Sequence, residues 1–274
     1  MNKIDIVLKI KESLATNRTK LSESFFQLNP YTKTKFFVLD DVLPEEIVIQ
    51  AYNNFPKDSQ YLYRKTFREK KLTFAKLNEL EHPFTEELTD AFGAQEIIDE
   101  IAKITGMPDL EGDPSLYAGG LSRMDKTHFL NPHIDNSHDG NRARYRRLNL
   151  LFYVTPNIDE NDGGSFELWD EQVLSPLKLA SKFNRLIVME TNRTSWHSVD
   201  PVLSNIKRCC VSNYYFSKLS PSGENYYHVT SFTGRPNQSI QRLYGRVDNF
   251  LRQSVSSVLK ISRGKQLARR NNQN

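Results

Sequence analysis

The hydrophobic residues at the start of the chain recur at helical spacing. Between residues 1 and 28, Ile, Val and Leu return every three or four positions while Lys and Glu fill the gaps, which predicts an amphipathic helical segment. A second helix is expected to begin at Pro44, since proline suits a first helical turn and two acidic residues follow it. An apolar stripe predicts a third helix over 84–106, with Thr85 as its cap.

The pattern changes between about residue 115 and residue 217. Short runs rich in Tyr, Phe, Val and Leu are separated there by segments rich in Gly, Asn, Asp and Pro, which is typical of short strands joined by turns. The predicted strands are 148–155, 165–169, 185–190 and 208–217, preceded by 35–39. No long helical pattern interrupts this region, which argues against a parallel α/β sheet and favours a β-sandwich or barrel.

The C-terminal part of the chain is expected to be helical and basic. Apolar residues recur at helical spacing over 238–261, and Lys and Arg without intervening acids occupy 260–270. This basic end is interpreted as a solvated tail or as a contact for an anionic surface.

Composition sets the broad class of the protein. The 274 residues contain 26% charged and 11% aromatic side chains, which suits one large folded domain with appendages. The net charge of +4 is too small to predict nucleic-acid binding, and no apolar run is long enough for a membrane span. Two adjacent cysteines, Cys209 and Cys210, read as reduced thiols. Because the N-terminus also lacks the features of a secretory signal, we expect a cytoplasmic protein.

The sequence His133-Ile134-Asp135 is a candidate metal-binding motif. Residues i and i+2 of a strand point to the same face, so this imidazole and carboxylate can aim at one point. His197 on a facing strand would complete a set of two histidines and one carboxylate. Such a set leaves coordination positions of iron(II) open for other ligands.

Arg208 lies eleven residues after His197 and opens a predicted strand of the β-region. A guanidinium on the buried face of that strand needs an anion, because an unpaired buried charge is very costly. A carboxylate ligand would satisfy it through two hydrogen bonds. Tyr153 on the neighbouring strand could add a hydroxyl group. Alternation places four further residues on the face of Arg208, namely Cys210, Ser212, Tyr214 and Phe216.

The stretch from His133 to Phe216 resembles the prolyl-hydroxylase branch of the iron(II)/2-oxoglutarate oxygenases. The matching pieces are His133-Ile134-Asp135-Asn136, Leu151-Phe152-Tyr153-Val154-Thr155, Gly163-Gly164-Ser165-Phe166-Glu167-Leu168-Trp169, Phe183-Asn184-Arg185-Leu186, Trp196-His197-Ser198-Val199 and Arg208.

The resemblance implies a mainly β fold with flanking α-helices, a double-stranded β-helix or jelly roll. Its expected extent is 36–217, with an N-terminal helical segment at 1–35 and a C-terminal helical extension with a basic tail at 218–274. It also implies that His133, Asp135 and His197 bind Fe(II), and that Arg208, helped by Tyr153, holds the distal carboxylate of 2-oxoglutarate.

The function implied by the resemblance is hydroxylation of a C–H bond with O2 as cosubstrate, with ascorbate able to serve as reductant. The expected substrate is a peptidyl proline, a small polar molecule or a glycan unit. The loop 136–147 leaves the metal motif directly and carries Arg142, Arg144 and Arg146. These arginines belong either to a solvated basic loop or to a binding site for an anionic substrate.

Two other functions use the same residues. A jelly-roll module could bind a sugar or an anion without turnover. A zinc hydrolase could use the same three ligands, but it would need neither oxygen nor Arg208.

Overall fold

The computed structural model describes residues 3–245 and residue 249. Its helices are α1 (Lys3–Thr16), α2 (Arg18–Phe26), α3 (Glu45–Asn53), α4 (Phe84–Phe92) and α5 (Gln95–Thr105), and residues 239–245 and 249 are also helical. Its strands are β1 (Phe36–Leu39), β2 (Leu62–Lys65), β3 (Glu69–Phe74), β4 (Gly120–Met124), β5 (Phe129–Ile134), β6 (Tyr145–Tyr153), β7 (Phe166–Trp169), β8 (Pro176–Leu179), β9 (Arg185–Glu190), β10 (His197–Val199), β11 (Arg208–Ser217) and β12 (Ser231–Phe232).

The described strands form one curled antiparallel sheet of the jelly-roll type. Its order is β1-β9-β6-β11-β4-β3-β5-β10-β7-β8, with β2 pairing with β3 and β12 pairing with β5. Strands far apart in sequence are therefore neighbours, and the sheet curls so that β5, β10 and β7 face β6, β9 and β11. The predicted mainly β jelly-roll class with flanking helices is confirmed.

Side-chain alternation divides the sheet into an outer face and an inner face. On β11, Cys209, Val211 and Tyr215 join the large apolar core that the helices cover. Cys210 instead points to the inner side, where a smaller apolar cluster includes Tyr153 and residues of β7, β9 and β10. The helices thus fill one side of the sheet, and the polar site lies on the other.

Most predicted helices and strands are present, but the helix over 84–106 is two helices. α4 ends at Phe92, Gly93 and Ala94 separate the two, and α5 then runs to Thr105 before a left-handed Gly106. The prediction that Thr85 caps this helix was wrong. Thr85 lies inside α4, where its buried hydroxyl donates a hydrogen bond to the Asn54 carbonyl oxygen at 3.1 Å.

Only part of the predicted C-terminal helix falls within the described residues. Residues 239–245 and 249 are helical, whereas the remainder of 238–261 and the basic end at 260–270 lie outside them. Within the part of the chain that is described, no helix has the length and apolar character needed to cross a bilayer.

Candidate metal and cosubstrate site

His133 and His197 lie directly opposite each other on the antiparallel pair β5 and β10. Their ring centroids are 4.1 Å apart. Asp135 follows one residue after the end of β5, and its two carboxylate oxygens each lie 3.7 Å from the Nε2 atom of one of the histidines. One potential ligand atom from each of the three residues lies within 4.8 Å of the others. The structure thus brings the three predicted ligands together.

Backbone contacts fix the orientation of both imidazoles. His133 Nδ1 is 3.0 Å from the Asn131 carbonyl oxygen, and His197 Nδ1 is 2.9 Å from the Ser195 carbonyl oxygen. Because a carbonyl oxygen only accepts, each Nδ1 carries the hydrogen and each Nε2 offers its lone pair to the centre of the cluster. This arrangement is typical of metal-binding histidines, whose other nitrogen donates to a carbonyl or carboxylate.

The protonation states of the cluster also suit a cation. Burial, reinforced by His197, lowers the pKa of His133 to about 3, and burial lowers the pKa of His197. Burial acts to raise the pKa of Asp135, but the charge of Arg146 and the two histidines outweigh it and hold that pKa well below its usual range. Two neutral imidazoles and one carboxylate at neutral pH are a suitable donor set for Fe(II).

Arg146 lies behind the metal-binding cluster and is almost fully buried. Its Nη1 atom is 3.2 Å from Asp135 Oδ2, close enough for an ion pair but not aligned as a hydrogen bond. The guanidinium also stacks on the ring of Tyr214, 4.0 Å from the ring centroid. A β-bulge at Arg147, where the register of β6 against β11 shifts, turns Arg146 to the inner face.

A second buried arginine, Arg208, lies at the start of β11. Its Nε atom donates to the Gly164 carbonyl oxygen at 2.5 Å and to Ser181 Oγ at 2.9 Å. Its Nη2 atom donates to the Tyr153 hydroxyl at 3.2 Å. A Cβ atom on Gly164 would lie 2.7 Å from Arg208 Cδ, so the close backbone approach requires glycine here.

Arg208 forms no ion pair with a carboxylate among the described residues, although only 3% of its surface is exposed. Its contacts with Gly164, Ser181 and Tyr153 are all to uncharged groups. Burial keeps Tyr153 a neutral hydroxyl, because it raises the pKa of the phenol more than the charge of Arg208 lowers it. A buried guanidinium with only neutral partners is a ready site for a carboxylate.

The three arginines of the loop 136–147 do not share one environment. Arg146 reaches the metal-binding cluster, as described above. Arg144 is used by the protein itself, since its Nε donates to Asp139 at 3.0 Å and its Nη1 to the Gly112 carbonyl oxygen. Arg142 has a positive φ of 58° and stacks on Tyr227 at 3.9 Å. The geometry therefore separates Arg146 from the other two.

Residues 225–235, which we call the cover segment, lie across the metal-binding cluster. β12 within it pairs with β5, with Phe232 opposite His133 and the two rings stacked 5.1 Å apart. Sequence analysis did not assign this segment or Ser181 to the site. Both come close only through the sheet topology, and the Tyr- and His-rich stretch 226–228 was the one visible signal.

Comparison with known proteins agrees with this geometry. Residues 119–216 match the family model described as the 2OG-Fe(II) oxygenase superfamily. No curated protein sequence matches the chain.

Solved structures with the same fold include two prolyl hydroxylases. A prolyl hydroxylase from Trichoplax adhaerens, solved with a hypoxia inducible factor oxygen degradation domain peptide fragment, is 19% identical, with a TM-score of 0.52 over 75% of this chain and 92% of that one. A prolyl 4-hydroxylase from Phytophthora capsici is 16% identical, with a TM-score of 0.50 over 93% of this chain and 78% of that one.

The match of 119–216 contains every residue of the two-histidine, one-carboxylate cluster as well as Arg208 and Tyr153. The fold of the prolyl hydroxylases supplies the same framework around it. Residues 119–216 are accordingly similar to the 2OG-Fe(II) oxygenase superfamily on a fold shared with prolyl hydroxylases, and the His133, Asp135 and His197 cluster within them supports an iron- and 2-oxoglutarate-dependent dioxygenase.

Proposed function

We propose that this dioxygenase hydroxylates a C–H bond of an anionic substrate, with His133, Asp135 and His197 as the ligands of Fe(II). The observation that carries the ligand assignment is the convergence of two oriented Nε2 atoms on one ionised carboxylate inside a buried site. When bound, iron with 2-oxoglutarate and O2 supplies the oxidising power to break a C–H bond and deliver a hydroxyl group, with succinate and CO2 as products.

Arg208 binds the distal carboxylate of 2-oxoglutarate in this proposal. Its Nη groups point away from the Gly164 and Ser181 contacts, which hold the Nε side of the guanidinium. The Tyr153 hydroxyl accepts a hydrogen bond from Arg208 and keeps its own hydrogen for the incoming carboxylate. Exclusion of water from this inner face strengthens both contacts.

Arg146 has two roles in this proposal. It positions the metal ligand Asp135 by holding Oδ2 within 3.2 Å, and it presents its remaining N–H groups to the substrate. The predicted substrate role of Arg142 and Arg144 is not part of the proposal, because Arg144 pairs with Asp139 and Arg142 stacks on Tyr227.

Ligand replacement tests the metal assignment. We expect His197→Ala and Asp135→Ala each to weaken metal binding more than about 100-fold. Loss of a residue that only contacts a metal ligand weakens binding by about 10–100-fold, so loss of a ligand itself should exceed that range. Metal affinity is measured by anaerobic titration, and turnover by succinate formation after oxygen is admitted. The matched control is His82→Ala, which removes an exposed histidine.

The same assay separates the proposed function from the two rivals. A non-catalytic sugar- or anion-binding module would form no succinate when oxygen enters. A zinc hydrolase would turn over without oxygen and would be indifferent to Arg208→Gln. Full metal affinity in His197→Ala would disprove the ligand assignment.

A further inference from the structure

The cover segment 225–235 occupies the edge of the metal-bearing strand β5 along which an extended chain could bind. Strand addition at an open sheet edge is a common way to bind a peptide. Here Ser231 pairs with Ile134 and Phe232 with His133. The Thr233 amide donates to the Pro132 carbonyl oxygen at 2.9 Å. The protein's own chain therefore takes the position that an extended peptide would need.

Hydrogen bonds continue this cover past the metal-binding cluster. The Ser137 amide donates to the His228 carbonyl oxygen at 3.0 Å, and the His228 amide donates to Ser137 Oγ at 2.9 Å. The segment is thus attached to the protein on both sides of Asp135.

Both ends of the cover segment are anchored. At its start, Asn225 Oδ1 accepts a hydrogen bond from the Tyr145 hydroxyl at 2.9 Å. At its end, Arg235 Nη2 lies 2.7 Å from Oε2 of Glu167, which is 1% exposed. If the segment were released, this buried carboxylate would lose its nearest cation and keep only the more distant Lys178, at 3.8 Å, so release is costly.

The outer edge of the added strand is closed as well. The Asn249 side chain accepts from the Phe232 amide and donates to the Phe232 carbonyl oxygen, each at 3.0 Å. One amide side chain thereby satisfies both backbone groups that would otherwise be open to a further strand. At the position of Phe232, the edges of β5 and β12 are therefore both occupied and cannot pair with an extended peptide.

Beneath the cover lies a small pocket beside Asp135, with an empty volume of about 150 Å³. Arg146, Thr191, Asn192, Tyr226 and His228 form part of its lining. These side chains leave little space between them, so a ligand can reach Arg146 only with an end group.

Several polar atoms of this pocket lining are buried and lack a hydrogen-bond partner. They are Nε and Nη2 of Arg146, Oγ1 of Thr191, Nε2 of His228 and Oδ2 of Asp135, which would be occupied once Asp135 binds a metal. Arg146 is 1% exposed, and leaving its buried N–H groups unsatisfied is costly because they have given up their hydrogen bonds to water. A polar ligand that accepts hydrogen bonds would remove this cost.

The charges around the pocket favour an anion. With cosubstrate bound, the divalent metal, Arg146 and Arg208 carry four positive charges, while Asp135 and the 2-oxoglutarate dianion carry three negative charges. Lys71, whose charge also acts on Asp135, is already 3.1 Å from Glu69. One positive charge remains, and Arg146 is the cation of the pocket lining that carries unsatisfied donors.

We infer that the substrate is a small carboxylate-bearing molecule bound by Arg146, and that the fixed cover segment excludes peptides in extended conformation. This inference rests on the proposed function and names the substrate class for the same site. Among the substrates expected from the sequence, it selects a small polar molecule over a peptidyl proline.

Matched small probes test the charge requirement. N-acetylglycine and its uncharged amide are compared by saturation-transfer NMR on the full chain, loaded with Zn(II) as a diamagnetic metal and saturated with 2-oxoglutarate. The bound 2-oxoglutarate occupies the pocket beside Arg208 and so keeps the probe out of it. We expect binding of the carboxylate at least about 10-fold tighter than of the amide, because charge-assisted hydrogen bonds contribute about 1.5–3 kcal/mol.

Variants assign that binding to Arg146. With Zn(II) kept saturating for every variant, Arg146→Gln is expected to weaken binding of the carboxylate about 10-fold or more, and Arg146→Lys, which keeps the charge, to weaken it less. Arg18→Gln is the matched control, since Arg18 lies on α2, pairs with Glu100 and does not line the pocket. Equal binding of carboxylate and amide to the unmodified protein would overturn the inference without any variant.

A peptide probe tests the exclusion. An acetylated and amidated ten-residue peptide of alternating alanine and proline is added at millimolar concentration, and amide hydrogen exchange is followed at Ser231, Phe232 and Thr233. We expect no binding and unchanged exchange. Binding of the peptide together with faster exchange at these amides would show that the cover segment opens for a chain, and would refute the substrate class.

Failure of the proposed function is recognised separately. In that case 2-oxoglutarate itself would not bind in a manner that depends on metal and Arg208. If 2-oxoglutarate binds as expected but N-acetylglycine does not bind, or binds no more tightly than its amide, the substrate inference alone is wrong.

Discussion

Two buried arginines, Arg208 and Arg146, lie on the neighbouring strands β11 and β6 and point to the same inner face of the sheet. The hydrogen-bond partners of Arg208 among the described residues are neutral groups, namely the Gly164 carbonyl, Ser181, Tyr153 and the Met124 sulfur. Arg146 lies against a charged metal ligand, Asp135, and stacks on an aromatic ring. The same residue type at nearly the same burial thus has two different electrostatic settings.

The difference indicates how each arginine is used. A guanidinium surrounded by neutral acceptors keeps its full charge for a ligand, which suits a dianionic cosubstrate. A guanidinium that already neutralises Asp135 keeps less of its charge until a metal takes over that carboxylate. Arg146 therefore becomes a better anion site after metal binding, whereas Arg208 is available from the start.

The largest expected effect is on Arg208. We expect Arg208→Gln to raise the KM for 2-oxoglutarate by about 100-fold or more, because truncating a buried hydrogen-bonded charge partner costs about 2–5 kcal/mol. Succinate formation at varied 2-oxoglutarate measures it. Arg146→Gln serves as the contrast and should leave this KM within about threefold, within the scatter of indirect effects. Equal losses in both variants would erase the distinction drawn between the two arginines.

The next effect is on the metal. Arg146→Gln is expected to weaken metal binding about 10–100-fold, since partners that orient a ligand have effects of this size. Anaerobic metal titration measures the change, with Arg208→Gln as the variant that should not alter it. Unchanged affinity in Arg146→Gln would mean that Asp135 needs no help from Arg146.

A smaller effect is expected at Tyr153. Tyr153→Phe removes the hydroxyl 3.2 Å from Arg208 Nη2 and should raise the KM for 2-oxoglutarate about 3–10-fold, the equivalent of about one hydrogen bond. The ring is fully buried, so thermal unfolding is followed in parallel to separate binding from stability. A KM identical to that of the parent protein would exclude the hydroxyl from cosubstrate binding.

The smallest effect is expected at Cys210. This thiol shares the inner face with Arg208, but its hydrogen bonds are with the Val211 carbonyl oxygen and the Ser212 hydroxyl rather than with the guanidinium. Burial raises its pKa to about 11, so it stays a neutral thiol. Cys210→Ser should change the KM for 2-oxoglutarate less than about threefold, as expected when no strong hydrogen bond is lost. A larger change would place Cys210 within reach of the cosubstrate.

The fold was predictable from the sequence where one period dominated. β9 and β11 were predicted with their exact ends, because short runs rich in apolar and aromatic residues there are bounded by turn residues. The hairpin of β2 and β3 was not, since its residues are largely charged and half exposed and carry no apolar alternation. The break between α4 and α5 was missed because Gly93 and Ala94 leave the apolar stripe in phase.

The candidate site was predictable where chemistry was local. The spacing of His133 and Asp135 and the isolation of Arg208 on an apolar face are visible in the sequence. The special position of Arg146 among three loop arginines is not, because it depends on a bulge that shifts the register by one residue. The cover segment depends on a pairing between strands about 100 residues apart, which no local pattern encodes.

The Gly163-Gly164 turn makes the proposed 2-oxoglutarate site tolerant of most side-chain substitutions in the turn. Arg208 is oriented by the oxygen of a peptide group, and no side-chain replacement can delete that atom. Within the turn, the contact is disturbed by adding a side chain to either glycine. Both glycines have a positive φ, and a methyl group on Gly164 would clash with the Arg208 side chain. Variation among natural sequences should therefore be tolerated around this turn but blocked at the two positions where even one extra carbon has no room.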